Sequence, residues 1–166
     1  MRLDVLRDWG WADGYLPEVK RLLALNAMSI FKFEVASFQD DVKRATDMLV
    51  SVSGTKAIAV RIRSDGYWQR DLTLRAQRSS GITTELEKIK AGNGDYYLYG
   101  WAKGFAVPEW MLVDLAMLRG SGLLNRQWKS IPNKDGITRF IAIPHTVLRD
   151  FGCLVSFEVS GKRKAA

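Results

Sequence analysis

The 166-residue chain contains a single cysteine and a single histidine, and this scarcity excludes several kinds of functional site. Cys153 has no partner for an intrachain disulfide, which is typical of a protein from a reducing compartment. With His145 as the only histidine, a zinc site built from Cys and His ligands is not expected. A Ser–His–Asp or Cys–His catalytic apparatus would have to be built on His145 alone.

Long apolar segments are also lacking. No apolar run approaches the ~20 residues that a membrane span requires, and the opening MRLDVLRDWG has no apolar stretch typical of a secretory signal. We therefore expect a cytoplasmic protein with no membrane partner. A hydrophobic fraction of 47% is ample for a buried core, so we predict a single domain over 1–160, followed by a basic tail over 161–166.

Acidic residues are outnumbered by basic ones. The chain has 25 Lys and Arg against 18 Asp and Glu, which gives a formal net charge of +7. Such an excess favours a polyanionic partner, with nucleic acid ahead of a membrane surface. The alternative to a polyanionic partner is that the basic surface only aids solubility.

Hydrophobic periodicity predicts a mixed α/β fold whose central sheet is mostly an antiparallel meander flanked by helices. Apolar and polar residues alternate in TDMLVSV, AIAVRIR and RDLTLR, which indicates three half-buried strands of that meander. Thr84 and Glu87 have the spacing of a capping box at the start of a short helix. The other predicted elements are a helix from Leu16, strands over 96–101, 139–143 and 154–159, and a buried helix over 108–119. The alternation over 31–35 favours a further strand, although the first helix could also continue through it.

The register of the meander follows from the requirement that the apolar side chains of neighbouring strands lie on the same face of the sheet. A three-residue turn over 53–55 would pair Met48 with Val60. The next hairpin would pair Arg61 with Thr73. One face of the sheet would then carry Asp47, Arg61, Arg63, Asp71, Thr73 and Arg75 together.

Carboxylates on and near this face are candidate ligands for Mg²⁺ or Mn²⁺. These ions take oxygen ligands, and sites for phosphoryl transfer use carboxylates together with substrate phosphate. Asp47 begins a strand, Glu34 lies in the preceding strand, and Glu85 begins the helix that follows the sheet. Alternatively, Asp47 only neutralises Arg61 across the ladder, and the helix dipole alone explains Glu85.

Arginines predominate in the segment 61–78, where five occur without any lysine: Arg61, Arg63, Arg70, Arg75 and Arg78. The guanidinium group offers a rigid fork to phosphate, whereas lysine offers a point charge. Tyr67, Trp68 and Trp101 could stack on exposed bases. The alternative is a solvated, salt-bridged sheet face with these aromatic residues in the core.

The segments ATDMLVSVSGTKAIAVRIR, RDLTLR, SSGITTELEKI and DYYLYGW together resemble the restriction-endonuclease-like, PD-(D/E)XK, nuclease superfamily, and especially its small phage and prophage proteins. The resemblance covers residues 30–145. It implies a restriction-endonuclease-like fold, DNA as partner, Mg²⁺ or Mn²⁺ as cofactor and, as in many members, a homodimer. It also implies that Asp47 is the metal-binding Asp and that Glu34 is the acidic residue of the preceding element.

The chain departs from the superfamily at the acid–x–Lys signature. Arg61-Ile62-Arg63 stands where the signature should fall, so no carboxylate is present there and Arg replaces Lys. Glu85 with Lys88, one turn apart on the next helix, could compensate for this departure. Asp71 on the adjacent strand is another candidate for the second ligand. If neither compensates, the fold serves as a binding scaffold without catalysis.

The sequence therefore predicts a metal-dependent DNA phosphodiesterase, a nuclease that could be structure-selective or resolvase-like. The predicted metal ligands are Glu34, Asp47, Asp71 and Glu85. The predicted catalytic residues are Asp47, Glu85 and Lys88. The predicted nucleic-acid-binding residues are Arg61, Arg63, Arg75 and Arg78.

Two other hypotheses remain open. The first is a catalytically degenerate nuclease-fold protein that binds nucleic acid or inhibits a nucleic-acid enzyme. The second is an assembly subunit with no nucleic-acid role, which would expose a large apolar patch. An intact nuclease site would bring three carboxylates within ~5 Å of a common point, close enough to share one cation.

Overall fold

A computed structural model describes residues 11, 13–26, 32–35, 37, 48–52, 54–64, 69–78 and 81–159. The chain is a mixed α/β protein, as predicted. Its elements in chain order are α1 (Leu16–Asn26), β1 (Lys32–Val35), β2 (Met48–Val52), β3 (Gly54–Arg63), β4 (Asp71–Gln77), α2 (Glu85–Lys90), β5 (Tyr96–Lys103), β6 (Ala106–Asp114), α3 (Leu115–Gly120), a 3₁₀ turn (Leu123–Asn125), β7 (Ser130–Pro132), β8 (Arg139–Pro144), α4 (His145–Asp150) and β9 (Leu154–Glu158).

The larger sheet has six strands in the order β1-β2-β3-β5-β6-β9. Strands β1, β2 and β3 form an antiparallel meander, and β5 then runs parallel to β3. Strands β6 and β9 extend the sheet in antiparallel fashion. Because parallel neighbours need a crossover connection, the chain leaves the sheet after β3 and returns to it after α2.

A smaller antiparallel sheet, in the order β4-β8-β7, packs on one face of the larger one. The alternation of β4 turns Leu72 and Leu74 into the core. Both side chains belong to the same buried cluster as three aromatic residues of β5, namely Tyr97, Tyr99 and Trp101. The surface between the two sheets is therefore aromatic on one side and aliphatic on the other.

Helix α1 covers the opposite face of the larger sheet. Val19, Leu22 and Leu23 are buried on the side of the helix that faces β3, β5 and β6. Pro17 and Glu18 occupy its first turn. The N–H that proline lacks would have no intrahelical partner at this position, and an acidic side chain interacts favourably with the helix dipole there. Among the helices in the described part of the chain, none is both long and apolar enough to cross a membrane.

The predicted hairpin between β3 and β4 is wrong. The second edge of β3 pairs with β5, so β4 belongs to the smaller sheet. Arg63 consequently lies beside Trp101, and Asp71 lies opposite Pro144, rather than opposite each other. Alternation along a strand determines which face is buried, but not which strand becomes its neighbour.

The predicted register between β2 and β3 is also wrong, by two residues. Met48 pairs with Ile58 instead of Val60, and the ladder continues until Val52 faces Gly54. A displacement of two residues leaves every side chain on its original face, so the apolar pattern fits both registers equally well. The predicted pairing of Asp47 with Arg61 involves a residue outside those that the structure describes.

The helix predicted over 108–119 is a strand followed by a short helix, β6 and α3. Trp110 and Leu112 pack toward α1, whereas Met111 and Val113 pack toward the smaller sheet. A central strand that is covered on both faces is apolar at consecutive positions. Periodicity alone does not separate such a strand from a buried helix.

Candidate functional site

Arginines of β3 and β4 gather where the smaller sheet crosses the larger one. Arg63 donates from Nη2 to the Thr73 hydroxyl at 2.6 Å and from Nε to the Tyr99 hydroxyl at 2.7 Å. Arg61 donates from Nη1 to the Thr73 carbonyl oxygen at 3.5 Å. We call the half-buried residues Arg61, Arg63, Arg75 and Arg78 the arginine cluster.

Glu85 is the carboxylate that meets this cluster. Its Oε1 lies 3.0 Å from Nη2 of Arg61 and also accepts a hydrogen bond from the Tyr97 hydroxyl. Its Oε2 accepts the backbone N–H of Arg75 at 2.9 Å. The side chains of Arg61 and Glu85 are only 20% and 13% exposed, and three protein donors engage the carboxylate.

The capping box that the sequence predicts places Glu85 at the first position of α2. The Thr84 hydroxyl accepts the N–H of Glu87 at 3.2 Å, and the Glu87 carboxylate accepts the N–H of Thr84 at 2.6 Å. These hydrogen bonds lower the pKa of Glu87, because they favour its charged form. The helix therefore starts at a defined residue, and Glu85 is held against β3 and β4.

Arg75 is a member of the cluster whose charge is partly desolvated and partly compensated. Burial lowers the pKa of Arg75, and the neighbouring charges of Arg61 and Arg78 lower it further, whereas the charge of Glu85 partly offsets these effects. Its Nε is buried and has no hydrogen-bond partner among the residues described. The guanidinium carbon lies 5.7 Å from the centre of the Phe140 ring, at a cation–π distance.

Three other predicted site residues are Lys88, Glu34 and Asp47. Lys88 lines a small cavity next to Glu85 and Tyr97. Glu34 is in β1, opposite Leu49, and Asp47 lies outside the described residues.

Asp71 begins β4, next to His145. Burial raises the pKa of Asp71, and the nearby charge of His145 partly offsets this increase. Over the described part of the chain, no three His, Cys, Asp or Glu side chains form a group that could hold a metal ion. Glu85, with three protein donors, does not fit the role of an open magnesium ligand.

Arg70 is held in a second cluster that the sequence did not predict. Its Nε donates to Glu109 at 2.7 Å, and its guanidinium carbon lies 5.0 Å from the centre of the Trp101 ring. Its carbonyl oxygen lies 3.0 Å from Nδ1 of His145. Glu109 was missed because the segment 108–119 was predicted as a helix, whereas in β6 it lies opposite Trp101.

Of the three aromatic residues suggested for base stacking, Trp101 is a core residue. It is buried in the cluster between the sheets, as the alternative interpretation predicted. Tyr67 and Trp68 lie outside the described residues. Tyr97 and Tyr99 contribute hydroxyl groups to the site instead, and the alternation of YYLYGW was the signal that could have placed them on this face.

No protein-family model and no curated protein matches this chain. The side-chain geometry around the arginine cluster is therefore the basis on which its function is inferred.

Proposed function

We propose that the protein binds DNA through the arginine cluster, on a restriction-endonuclease-like scaffold whose acidic residue serves as a counter-ion. The arrangement of Glu85 and Arg75 carries this proposal. Glu85 has both carboxylate oxygens engaged by protein donors, and Arg75 has a buried Nε with no partner among the residues that the structure describes.

Glu85 acts in this proposal as the anchor of the cluster. A cation that approached its carboxylate would have to displace Arg61 and would be repelled by the remaining arginines. The acidic side chain instead offsets part of the mutual repulsion between guanidinium groups. It thereby holds Arg61 and Arg75 in fixed positions, since it contacts the side chain of one and the backbone of the other.

Arg75 supplies the reason for expecting an anionic ligand. A buried N–H without an acceptor and a desolvated charge beside like charges both cost free energy. A phosphate bound beside the cluster would oppose the repulsion that lowers the pKa of Arg75. Arginine suits phosphate because its planar fork can bind two oxygens at once. The net charge of +7 favours a polyanion such as DNA over a single phosphate group.

The order of the elements supports the choice of scaffold. A helix, a three-stranded antiparallel meander and a further helix follow one another as α1, β1 to β3, and α2. Arg61 and Arg63 lie on β3 of this meander, the strand on which the resemblance led us to expect the acid–x–Lys signature.

Binding of labelled single-stranded, duplex and branched DNA, measured by fluorescence anisotropy in EDTA, tests the proposal. Arg75→Met should weaken binding about tenfold, because it removes one phosphate contact while keeping the aliphatic stem. Arg21→Met is the matched control, since it removes the same charge from α1 on the opposite face. Absence of binding, or equal losses in the two variants, would contradict a specific role for the cluster.

A metal-dependent DNA phosphodiesterase is the second candidate. The observation that favours it is the place of Glu85 at the start of α2, the helix that follows β4. Lys88 follows one turn later. From this position, an acidic residue could compensate for the carboxylate that is missing from the acid–x–Lys signature.

The second candidate is tested by incubating the same DNA substrates with Mn²⁺, Mg²⁺ or EDTA. Cleavage that requires metal and disappears in both Asp47→Ala and Glu85→Gln would support it. Asp150→Asn, which alters an exposed carboxylate on α4, is the control that should keep full activity. Tight binding without cleavage in any metal would leave the DNA-binding proposal as the better one.

A further inference from the structure

The hairpin between β5 and β6 presents a phenylalanine to solvent. Phe105 is 99% exposed, the highest value among the large hydrophobic residues described. Its neighbours at the tip, Lys103, Gly104 and Ala106, are exposed as well. A side chain that buries no surface contributes no hydrophobic stabilisation to the fold, so stability does not explain phenylalanine at this position.

The tip that carries Phe105 is firmly held. Lys103 pairs with Ala106, and Gly104 has a φ of +62°, in the region that favours glycine, so the chain reverses in two residues. The Tyr15 hydroxyl donates to the Gly104 carbonyl oxygen at 2.9 Å. Trp11 packs edge-to-face on Tyr15, with ring centres 4.8 Å apart. These contacts fix the direction in which Phe105 projects.

The hairpin tip lies at the same end of the larger sheet as Arg63. Arg63 ends β3 and is placed beside Trp101 of β5, four residues before Phe105. At about 3.3 Å per residue, and with the chain reversing at 104–105, Phe105 lies roughly 10 Å beyond Arg63 along the strand direction. Lys103 is exposed between them. Tyr15 belongs to the side of the sheet that α1 covers, so a strand that contacts both the cluster and the tip has to pass around this end of the sheet.

We propose that Phe105 stacks on a nucleobase of a bound single strand while the arginine cluster holds its phosphates. This inference rests on the proposed DNA-binding function. Sites for single-stranded nucleic acid combine a basic groove with aromatic side chains, because every base has a flat face that can stack.

The composition of the tip favours a base over a protein partner. A protein-docking surface needs a broad apolar patch, whereas the turn itself carries lysine, glycine and alanine beside Phe105, and the aromatic residues near it, Trp11 and Tyr15, pack on each other. A ring beside a positive charge is suited to a base and its phosphate. A lipid surface would also accept a lysine and a phenylalanine, and the experiment below separates these two ligands.

The experiment uses a single-stranded oligonucleotide that contains 2-aminopurine, in EDTA, with the full chain. The fluorescence of 2-aminopurine should fall on binding, because stacking quenches it. Phe105→Ala and Phe105→Leu should abolish this quenching and weaken binding by roughly 5- to 150-fold, whereas Phe105→Trp should retain both. An abasic oligonucleotide of the same length should bind the wild type and Phe105→Ala equally.

The controls separate stacking from other effects. Leu25→Ala removes an exposed apolar side chain from α1, on the opposite face, and should change nothing. Because Phe105 is exposed, Phe105→Ala should unfold at the wild-type temperature.

Three results would overturn the inference, and they are distinguishable. If the wild type binds no oligonucleotide, the DNA-binding proposal fails and this inference fails with it. If the wild type binds but Phe105→Ala and Phe105→Leu bind and quench equally well, only the stacking role fails. If Phe105→Ala abolishes binding to phosphatidylglycerol vesicles and leaves DNA binding intact, Phe105 is a membrane contact.

Discussion

Oε1 of Glu85 lies 3.0 Å from Nη2 of Arg61, and this ion pair joins the start of α2 to the middle of the larger sheet. Both side chains are mostly withdrawn from solvent. In such surroundings, the loss of one partner leaves the other as an uncompensated charge. The pair therefore decides whether Glu85 is a counter-ion for arginine or a ligand for a metal ion, and each role predicts a different result on substitution.

Glu85→Gln should lower the free energy of unfolding by about 1–3 kcal/mol, less than for a fully buried pair because both groups retain some exposure. The amide is isosteric and can still accept a hydrogen bond from Tyr97. The same variant should bind DNA more tightly than the wild type, because a negative charge is removed beside the cluster. Urea denaturation and anisotropy titrations measure the two effects. Weaker DNA binding by Glu85→Gln would mean that binding depends on the way Glu85 holds Arg61 and Arg75 in place, and would contradict a role limited to that of a counter-ion.

Arg75→Met should weaken DNA binding without destabilising the protein. The guanidinium is desolvated and lies beside two other arginines, so its charge opposes folding, while a methionine side chain can fill the same space against Phe140. The free energy of unfolding should therefore fall by no more than about 0.5 kcal/mol. A large loss of stability would mean that Arg75 makes a structural contact rather than a ligand contact.

The sequence predicted which side chains share a face more reliably than which strands are neighbours. Arg61 and Thr73 were expected to be partners in one ladder. They do make contact, but between the two sheets, because β5 takes the edge of β3 and β4 crosses above it. The spacing within a strand is a local property, whereas the choice of neighbour depends on competition from a segment more than thirty residues away.

Part of the site was predictable for the same reason. The arginines and the capping box that positions Glu85 are local patterns, and they could be identified from spacing alone. The ion pair of Arg70 with Glu109 could not be predicted, because it depends on β6 being a strand. Because consecutive residues of β6 are buried, its sequence lacks the alternation that would have identified it as a strand.

Gly100→Ala should destabilise the larger sheet. A Cβ at this position of β5 would lie 2.5 Å from Cγ1 of Val107 and 3.1 Å from Cδ1 of Ile62. Val107 is a stiff, branched side chain, so the backbone or the packing of α1 has to shift, at a cost of about 1–3 kcal/mol. Thermal or urea unfolding measures this loss.

Gly120→Ala is the matched control for that experiment. A Cβ at Gly120 would meet no atom within 4 Å, and the residue ends helix α3. Its stability should stay within about 1 kcal/mol of the wild type or increase. Equal effects of the two substitutions would contradict the close packing described at Gly100.

Asp71→Asn should stabilise the protein at neutral pH and have no effect at low pH. Burial raises the pKa of Asp71 in the folded state above its value in the unfolded chain. The wild type therefore keeps its full stability below the ordinary aspartate pKa of about 3.9 and loses part of it as the pH rises through the folded pKa. Because Asp71 keeps part of its exposure to solvent, the gain at pH 7 should be below about 1 kcal/mol.

Unfolding free energies of Asp71→Asn and the wild type, measured near pH 3 and near pH 7, check this prediction. A variant that is less stable than the wild type at pH 7 would show that the carboxylate makes a stabilising contact. Stabilisation of the wild type by Mg²⁺ that Asp71→Asn abolishes would instead identify Asp71 as a metal ligand.

The salt dependence of DNA binding in EDTA tests the central claim most directly. If the arginine cluster holds phosphates, the logarithm of the association constant should fall linearly with the logarithm of salt concentration, and Arg75→Met should reduce the slope by about one unit. Arg21→Met should leave the slope unchanged, because its charge lies on the opposite face. A wild type that does not bind DNA at low salt, or a slope that changes equally in both variants, would contradict the claim.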